Sequence, residues 1–140
     1  MRKTNRGLVV AAVAVFAVSL VASVVQAAEG DVEAAKPEFY TQKVRPILAA
    51  NCYRCHAGMN HRGGLTLATR AGILKGGKDG AVLKPGDAAN SLLVKLIRHE
   101  APSDHPGPMP PKSKLSDADI ATVERWVKAG AIMPPDAPVP

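Results

Sequence analysis

The motif Cys52-Tyr53-Arg54-Cys55-His56 constrains this chain more than any other feature, because it holds both cysteines of the 140-residue sequence. Written C-x-x-C-H, it is the pattern to which haem c is attached covalently. Two thiols on one helical turn can both reach the vinyl groups along one edge of a haem and form thioether bonds. The next residue, His56, is then placed to bind the iron as its proximal ligand. We expect its other ring nitrogen to be held by a backbone carbonyl.

Three other uses of the two cysteines compete with haem attachment. A C-x-x-C redox dithiol normally lies in a βαβ unit, but the residues before Cys52 are typical of a helix and no strand pattern follows. A structural zinc site needs further ligands, and His61 is the nearby candidate. A plain disulfide would leave His56 without a role. The lack of any other cysteine favours one covalent haem c.

Residues 1–27 have the pattern of a secretory signal peptide, in which a basic start precedes an apolar run over 8–25 and a small-residue cleavage site at 25–27. An uncleaved membrane anchor is the alternative, since an 18-residue run approaches the roughly 20 residues that span a bilayer. Alanine and serine dilute the run, which favours cleavage near Ala28. In both cases the haem motif lies outside the cytoplasmic membrane, so we expect a periplasmic or otherwise exported protein.

The charge of the chain falls once that segment is removed. Three of the 18 basic residues and none of the 12 acidic ones lie in it, which leaves +3, and two haem propionates would offset most of that. A nucleic-acid partner is therefore not indicated. A docking face for an acidic redox partner could be formed by five lysines: Lys75, Lys78, Lys84, Lys112 and Lys114. The ordinary role of such residues is a solvated surface. We expect a monomer, with membrane contact only if the signal segment stays attached.

The mature chain is divided into a flexible leader (28–36), one small domain (37–133) and a Pro-rich tail (134–140). Three helices are predicted: Pro37–Asn51, kinked or restarted at Pro46; Asp87–Arg98, capped by Asp87 or Ser91; and one from Ser116 to a stop at Gly130. Between them, residues 58–86 contain eight of the 12 glycines and are predicted to form a loop around the haem edge. Such a chain has few large side chains of its own, and a buried porphyrin would supply apolar bulk.

The sequence offers six candidates for the ligand on the other face of the iron: Met59, His61, His99, His105, Met109 and Met133. Met59 and His61 are too close to His56 for the chain to pass round the haem, and Met133 follows the last helix. Met109 lies 53 residues after His56 among Pro108, Pro110 and Pro111, which suits a weak thioether ligand that must be held in place. We predict Met109, with His105, His99 or an open site as alternatives.

Several short motifs occur in a specific order along the mature chain: Phe39 with VRPIL at 44–48, CYRCH at 52–56, GGLTL at 63–67, PG at 85–86, SLL at 91–93, MPP at 109–111, LS at 115–116, and Trp126 with GA at 130–131. In this order they resemble the planctomycete-type cytochrome c domain, a branch of the single-haem class I cytochromes c. The resemblance implies an all-α fold wrapped round one haem. It also implies that Cys52 and Cys55 anchor the haem, and that His56 and Met109 bind the iron. Ile132-Met133 departs from the pattern, which has an aromatic residue before the final proline.

These features together predict an exported c-type cytochrome that carries single electrons and is not an enzyme, so no catalytic residue is assigned. A haem c sensor or a peroxidase-like enzyme with an open or exchangeable distal site is the alternative. No Arg/His pair at a recognisable spacing supports such a site. A third hypothesis is a domain that docks to an enzyme and passes electrons to it.

Overall fold

The computed structural model describes residues 31–101 and 107–136. The elements named below all belong to one compact unit, Glu33–Pro140. In chain order they are α1 (Pro37–Phe39), a π-helix (Tyr40–Val44), α2 (Arg45–Asn51), α3 (Tyr53–His56), β1 (Asn60–His61), a 3-10 helix (Arg62–Gly64), α4 (Arg70–Lys75), α5 (Leu92–Arg98) and α6 (Asp117–Lys128). The described part is thus mainly helical, which is compatible with the predicted all-α fold.

The first helical segment is interrupted where proline requires it. α1 passes through the π-helix into α2, and Pro46 lies at the start of α2. Proline has no N–H to donate to the preceding turn, and a widened π-turn removes the need for that regular bond. The prediction that the helix restarts at Pro46 is therefore confirmed. Phe39, Val44 and Leu48 of the predicted apolar stripe are buried.

The predicted flexible leader is partly wrong. Residues 31–34 are helical, and the side chain of Ala34 is completely buried in the core. Glu33 also lies 3.7 Å from a guanidinium nitrogen of Arg125. An alanine contributes little to a hydrophobic pattern, so this packing has a weak sequence signal. Residues 28–30, like the predicted signal segment 1–27 and its cleavage site, lie outside the described residues.

The Gly-rich stretch 58–86 is mostly loop, as predicted, but it contains the unpredicted helix α4. Thr69 caps it, because its hydroxyl accepts a bond of 3.0 Å from the N–H of Gly72. A side chain at Gly72 would place its Cβ 2.1 Å from Thr66 Cγ2. The glycine that allows this close packing also weakens the helical signal of the sequence.

Helix α5 begins at Leu92 and not at Asp87. The carboxylate of Asp87 instead accepts bonds from the backbone and side-chain nitrogens of Asn90, at 3.1 and 2.8 Å. Ser91, which is completely buried, is the N-cap residue of the helix. Its hydroxyl accepts from the N–H of Lys84 at 2.8 Å and donates to the carbonyl of Asp87 at 3.0 Å. The predicted start was too early because Asp87 stabilises the turn that precedes the helix.

Helix α6 agrees with the prediction at both ends. The Ser116 hydroxyl accepts from the N–H of Asp119 at 3.1 Å, and the helix gives way at Gly130, whose φ is +105°. Its inward face is buried, and Trp126 packs against Tyr40 with ring centroids 5.3 Å apart. The indole N–H of Trp126 donates to the carbonyl of Ile132 at 2.9 Å. Helix α6 and the π-helix are therefore packed together in one core.

The described part of the Pro-rich tail, residues 134–136, is bonded to the start of α4. The carboxylate of Asp136 accepts bonds from the backbone N–H groups of Arg70 and Ala71, the latter at 2.9 Å. Residues 137–140 lie outside the described residues. Among the helices that the structure describes, none is long and apolar enough to cross a membrane.

Candidate haem-binding site

The junction of α2 and α3 holds the C-x-x-C-H motif on a single turn. The N–H of Cys52 donates to the carbonyl of Leu48 at 2.8 Å, which ends α2. The N–H groups of Cys55 and His56 both donate to the carbonyl of Cys52, at 3.0 and 2.9 Å. Both thiols are free. The motif therefore has the one-turn geometry that attachment to two vinyl groups of one haem requires.

Cys52, Cys55 and His56 line a cavity of about 1110 Å³, the solvent space at its mouth included. Helix α5 and the Gly-rich loop supply most of the remaining wall through apolar side chains: Leu65, Leu67, Val82, Leu92, Leu93, Leu96 and Ile97. A concave, largely apolar site with few polar groups is typical of cofactor binding. Its chemistry fits a porphyrin ring.

Met109 lines the same cavity, together with Pro110 and Pro111. Its backbone N–H donates to the carbonyl of Leu96 at 3.1 Å, which fixes this segment to α5. The structure thus brings all four sequence-predicted site residues to one cavity. Their roles as thioether anchors and iron ligands remain predictions.

The other candidates for the distal ligand lie elsewhere or outside the described residues. Met59 is fully exposed, and His61 and His99 are exposed on the surface. Met133 is 7% exposed and belongs to the hydrophobic core. None of these four lines the cavity. His105 lies outside the described residues.

The imidazole of His56 differs from our prediction. Its Nδ1 is buried and has no hydrogen-bond partner in the described part of the chain, so the expected bond to a backbone carbonyl is not formed there. The carbonyl of His56 does accept a bond of 2.7 Å from the N–H of Leu67. An imidazole nitrogen that is buried without a hydrogen-bond partner lowers the stability of the fold. The His56 ring lies beside an apolar cavity, where a bound group would hold the ring in position.

Burial also changes the chemistry of the Cys52 thiol. It raises the pKa of Cys52 to about 11, and the charge of a Cys55 thiolate acts in the same direction. The site therefore disfavours a thiolate and favours an uncharged sulfur, such as a thioether. Within residues 31–101 and 107–136, no group of three or more His, Cys, Asp or Glu side chains could hold a metal ion. The zinc alternative consequently has no ligand set in that part of the chain.

Sequence reasoning missed the charged residues of the cavity. Arg62, Lys78 and Asp79 line it, whereas the sequence alone suggests for Lys78 a place on a docking surface. Arg62 follows β1 and precedes the glycines Gly63 and Gly64. That sequence context indicates a turn but does not reveal which cavity the turn borders.

Comparison with known proteins supports the resemblance described above. A family model described as Planctomycete cytochrome C matches residues 52–113. This range includes the C-x-x-C-H motif, the Gly-rich loop, helix α5 and Met109. No curated protein and no solved structure matches the chain significantly. The family implies a covalently bound haem c and a role in electron transfer. The chain contains a planctomycete-type cytochrome c domain.

Proposed function

We propose that this protein is an exported c-type cytochrome that transfers single electrons through one covalent haem ligated by His56 and Met109. One observation supports the proposal above all: Cys52, Cys55, His56 and Met109 line a single cavity, although 53 residues separate the two proposed iron ligands. The match of this region to a cytochrome c family is independent support.

Each of these side chains has a distinct part. Cys52 and Cys55 hold the porphyrin by thioether bonds, His56 binds iron with an imidazole nitrogen, and Met109 binds it with the thioether sulfur. The bound haem supplies reversible one-electron exchange between ferric and ferrous iron. The aliphatic wall of α5 excludes water from the iron, and exclusion of water together with a methionine ligand favours the ferrous state.

The attachment of Met109 favours a carrier over an enzyme. The bond from its N–H to Leu96 at 3.1 Å and the fixed backbone of Pro110 and Pro111 restrict its movement. A ligand that is held in both oxidation states limits rearrangement when an electron is transferred. If both axial positions are filled by protein, the iron has no free position for a substrate, and electron exchange through the haem edge remains.

Export follows from the sequence of residues 1–27 and from the chemistry of the motif. The segment has the basic start, apolar run and small-residue site of a secretory signal. Haem c is attached outside the cytoplasmic membrane, so export and the C-x-x-C-H motif require the same compartment. Periplasmic location is therefore part of the proposal.

A single preparation tests the function. The full chain is produced with a haem c maturation system, and the purified protein is titrated electrochemically while its visible spectrum is recorded. We expect one reversible one-electron transition and a ferrous form that does not bind carbon monoxide. Ready binding of carbon monoxide by the wild-type protein would contradict the carrier and support the sensor or enzyme.

A further inference from the structure

Charge is unevenly distributed along the wall of the haem cavity. Among the described residues that line it, the lysine, arginine and acidic side chains are Arg62, Lys78 and Asp79, which come from two neighbouring parts of the Gly-rich loop. The walls formed by α5 and by residues 109–111 contribute apolar side chains. A ligand with an apolar body and an acidic end would therefore find complementary charge at the Gly-rich loop.

The backbone holds the two cations on adjacent segments. The N–H of Lys78 donates to the carbonyl of Gly63 at 2.7 Å. A Cβ at Gly77 would lie 2.7 Å from that same carbonyl oxygen, so this close approach requires glycine. The segments that bear Arg62 and Lys78 are thus fixed beside each other.

The local charges leave an excess of positive charge. Arg62 has no ion pair among the described residues, whereas Lys78 Nζ lies 2.7 Å from a carboxylate oxygen of Asp79. The Lys78 and Asp79 side chains are 65% and 36% exposed, and an ion pair in such a position contributes little to stability. Lys78 can therefore exchange Asp79 for another carboxylate at small cost.

We propose that Arg62 and Lys78 bind the two propionate carboxylates of the haem. This inference rests on the proposed function. The thioether bonds hold the vinyl edge of the porphyrin at α3, and the propionates leave the ring from a different edge, where they need hydrogen-bond donors or water. A guanidinium matches a carboxylate with two parallel bonds, and a lysine ammonium adds a mobile donor.

Binding at these positions has an electrostatic consequence for the iron. A cation close to the haem disfavours the ferric form, which carries one more positive charge than the ferrous form. Arg62 and Lys78 therefore raise the reduction potential as well as orient the cofactor. They act as positioning residues, because they touch the cofactor at its edge and not at its metal.

The test compares three variants of the holo-protein that lose the same charge: Arg62→Gln, Lys78→Gln and Lys75→Gln. Lys75 is exposed at the end of α4 and does not line the cavity, so it controls for the loss of net charge. The measurements are the reduction potential and the proton NMR shifts of the propionate methylene groups. We expect the first two variants to lower the potential at least twice as far as the control. They should also displace the methylene resonances, and Arg62→Lys should restore part of both changes.

The outcomes separate this inference from the proposed function. Equal changes in potential for all three variants, with unmoved methylene resonances, would overturn the propionate assignment while the covalent haem remains detectable by mass. A response confined to Arg62→Gln would overturn the part assigned to Lys78. A wild-type protein without covalent haem would overturn both proposals.

Discussion

The N–H of Met109 lies 3.1 Å from the carbonyl oxygen of Leu96, to which it donates. Leu96 also lines the cavity, so the proposed distal ligand is attached to the same helix that forms the apolar wall. The position of the methionine therefore depends on α5 and not only on the prolines around it. Because this bond uses the backbone of Met109, a substitution of the side chain retains it and tests the role of the thioether alone.

The first prediction concerns Met109→Ala. Loss of the thioether should abolish the weak near-infrared sulfur-to-iron band of the ferric protein, open ferrous iron to carbon monoxide and lower the reduction potential, because a thioether favours ferrous iron. Absorption spectra and redox titration measure all three effects. Met59→Ala is the matched control, since Met59 is fully exposed, and it should leave them unchanged.

His99→Ala and His105→Ala complete that experiment. If either histidine variant, and not Met109→Ala, opens the iron to carbon monoxide, the assignment of the distal ligand to Met109 is wrong.

The second prediction is that the haem is covalent and single. Because Cys52 and Cys55 are the protein's two cysteines, the denatured mature chain should be heavier by about one haem, roughly 0.6 kDa. Intact mass spectrometry measures this increment. Replacing both cysteines by alanine should remove it, and haem that acid acetone extracts from the wild-type protein would contradict the assignment.

The third prediction distinguishes the core methionine Met133 from Met109, which lines the cavity. Met133 belongs to the core, so Met133→Ala should lower the free energy of unfolding by about 2–3 kcal/mol through lost burial and a cavity. The near-infrared band should persist, because Met133 does not line the haem cavity. Denaturant unfolding of the holo-protein and its spectrum give the two readouts. Loss of the band in a folded variant would show that Met133 is close to iron.

The fourth prediction is a pH dependence that arises from Asp136. Hydrogen bonds from the backbone N–H groups of Ala71 and Arg70 hold the pKa of this carboxyl below its usual value. A carboxyl with a lowered pKa stabilises the folded state fully above its unfolded pKa of about 3.9. This stabilisation is lost as pH falls through the folded pKa.

Asp136→Asn should therefore destabilise the holo-protein near pH 6 and reduce the difference in stability between pH 6 and pH 3. Thermal unfolding of both proteins at several pH values measures this difference in stability. Asp31→Asn, a change at another exposed aspartate, is the control. An identical pH profile for wild type and Asp136→Asn would refute the role of these bonds.

A fifth prediction addresses the cap of α6. The Ser116 hydroxyl accepts from the N–H of Asp119, so Ser116→Ala should cost about 1 kcal/mol of stability. Ser113→Ala, at an exposed position before the helix, should cost much less. Urea unfolding of the two variants decides the matter, and equal losses would argue against capping.

The parts of the structure that the sequence predicted well are those with several agreeing local signals. Helix α6 combines a Ser116 cap, a periodic apolar face around Trp126 and a glycine stop, and each signal acts over a few residues. The C-x-x-C-H turn is equally local. The prediction that Met109 and His56 share one site rests on chain length, stiffness and family resemblance, because residues 53 positions apart that line one cavity leave no local pattern.

The missed features depend on tertiary contacts. Helix α4 contains Gly72, whose presence lowers helix propensity but is required by the closeness of Thr66. Asp87 has the properties of a helix cap, yet its carboxylate binds Asn90 in the preceding turn. Arg62 lines the cavity next to Gly63, whose carbonyl is bonded to the distant residue Lys78. A single sequence reports residue preferences, and these outcomes depend on which segments meet.

The π-helix Tyr40–Val44 has a consequence for insertions and deletions. Phe39, Tyr40, Val44 and Leu48 are all buried, so residues on both sides of the widened turn are packed in the core. An ordinary α-helix advances about 100° per residue. Deleting one residue from the π-helix would turn Phe39 and Tyr40 relative to α2, which leads into the haem motif. This stretch should therefore tolerate substitutions at its exposed positions far better than any change in its length.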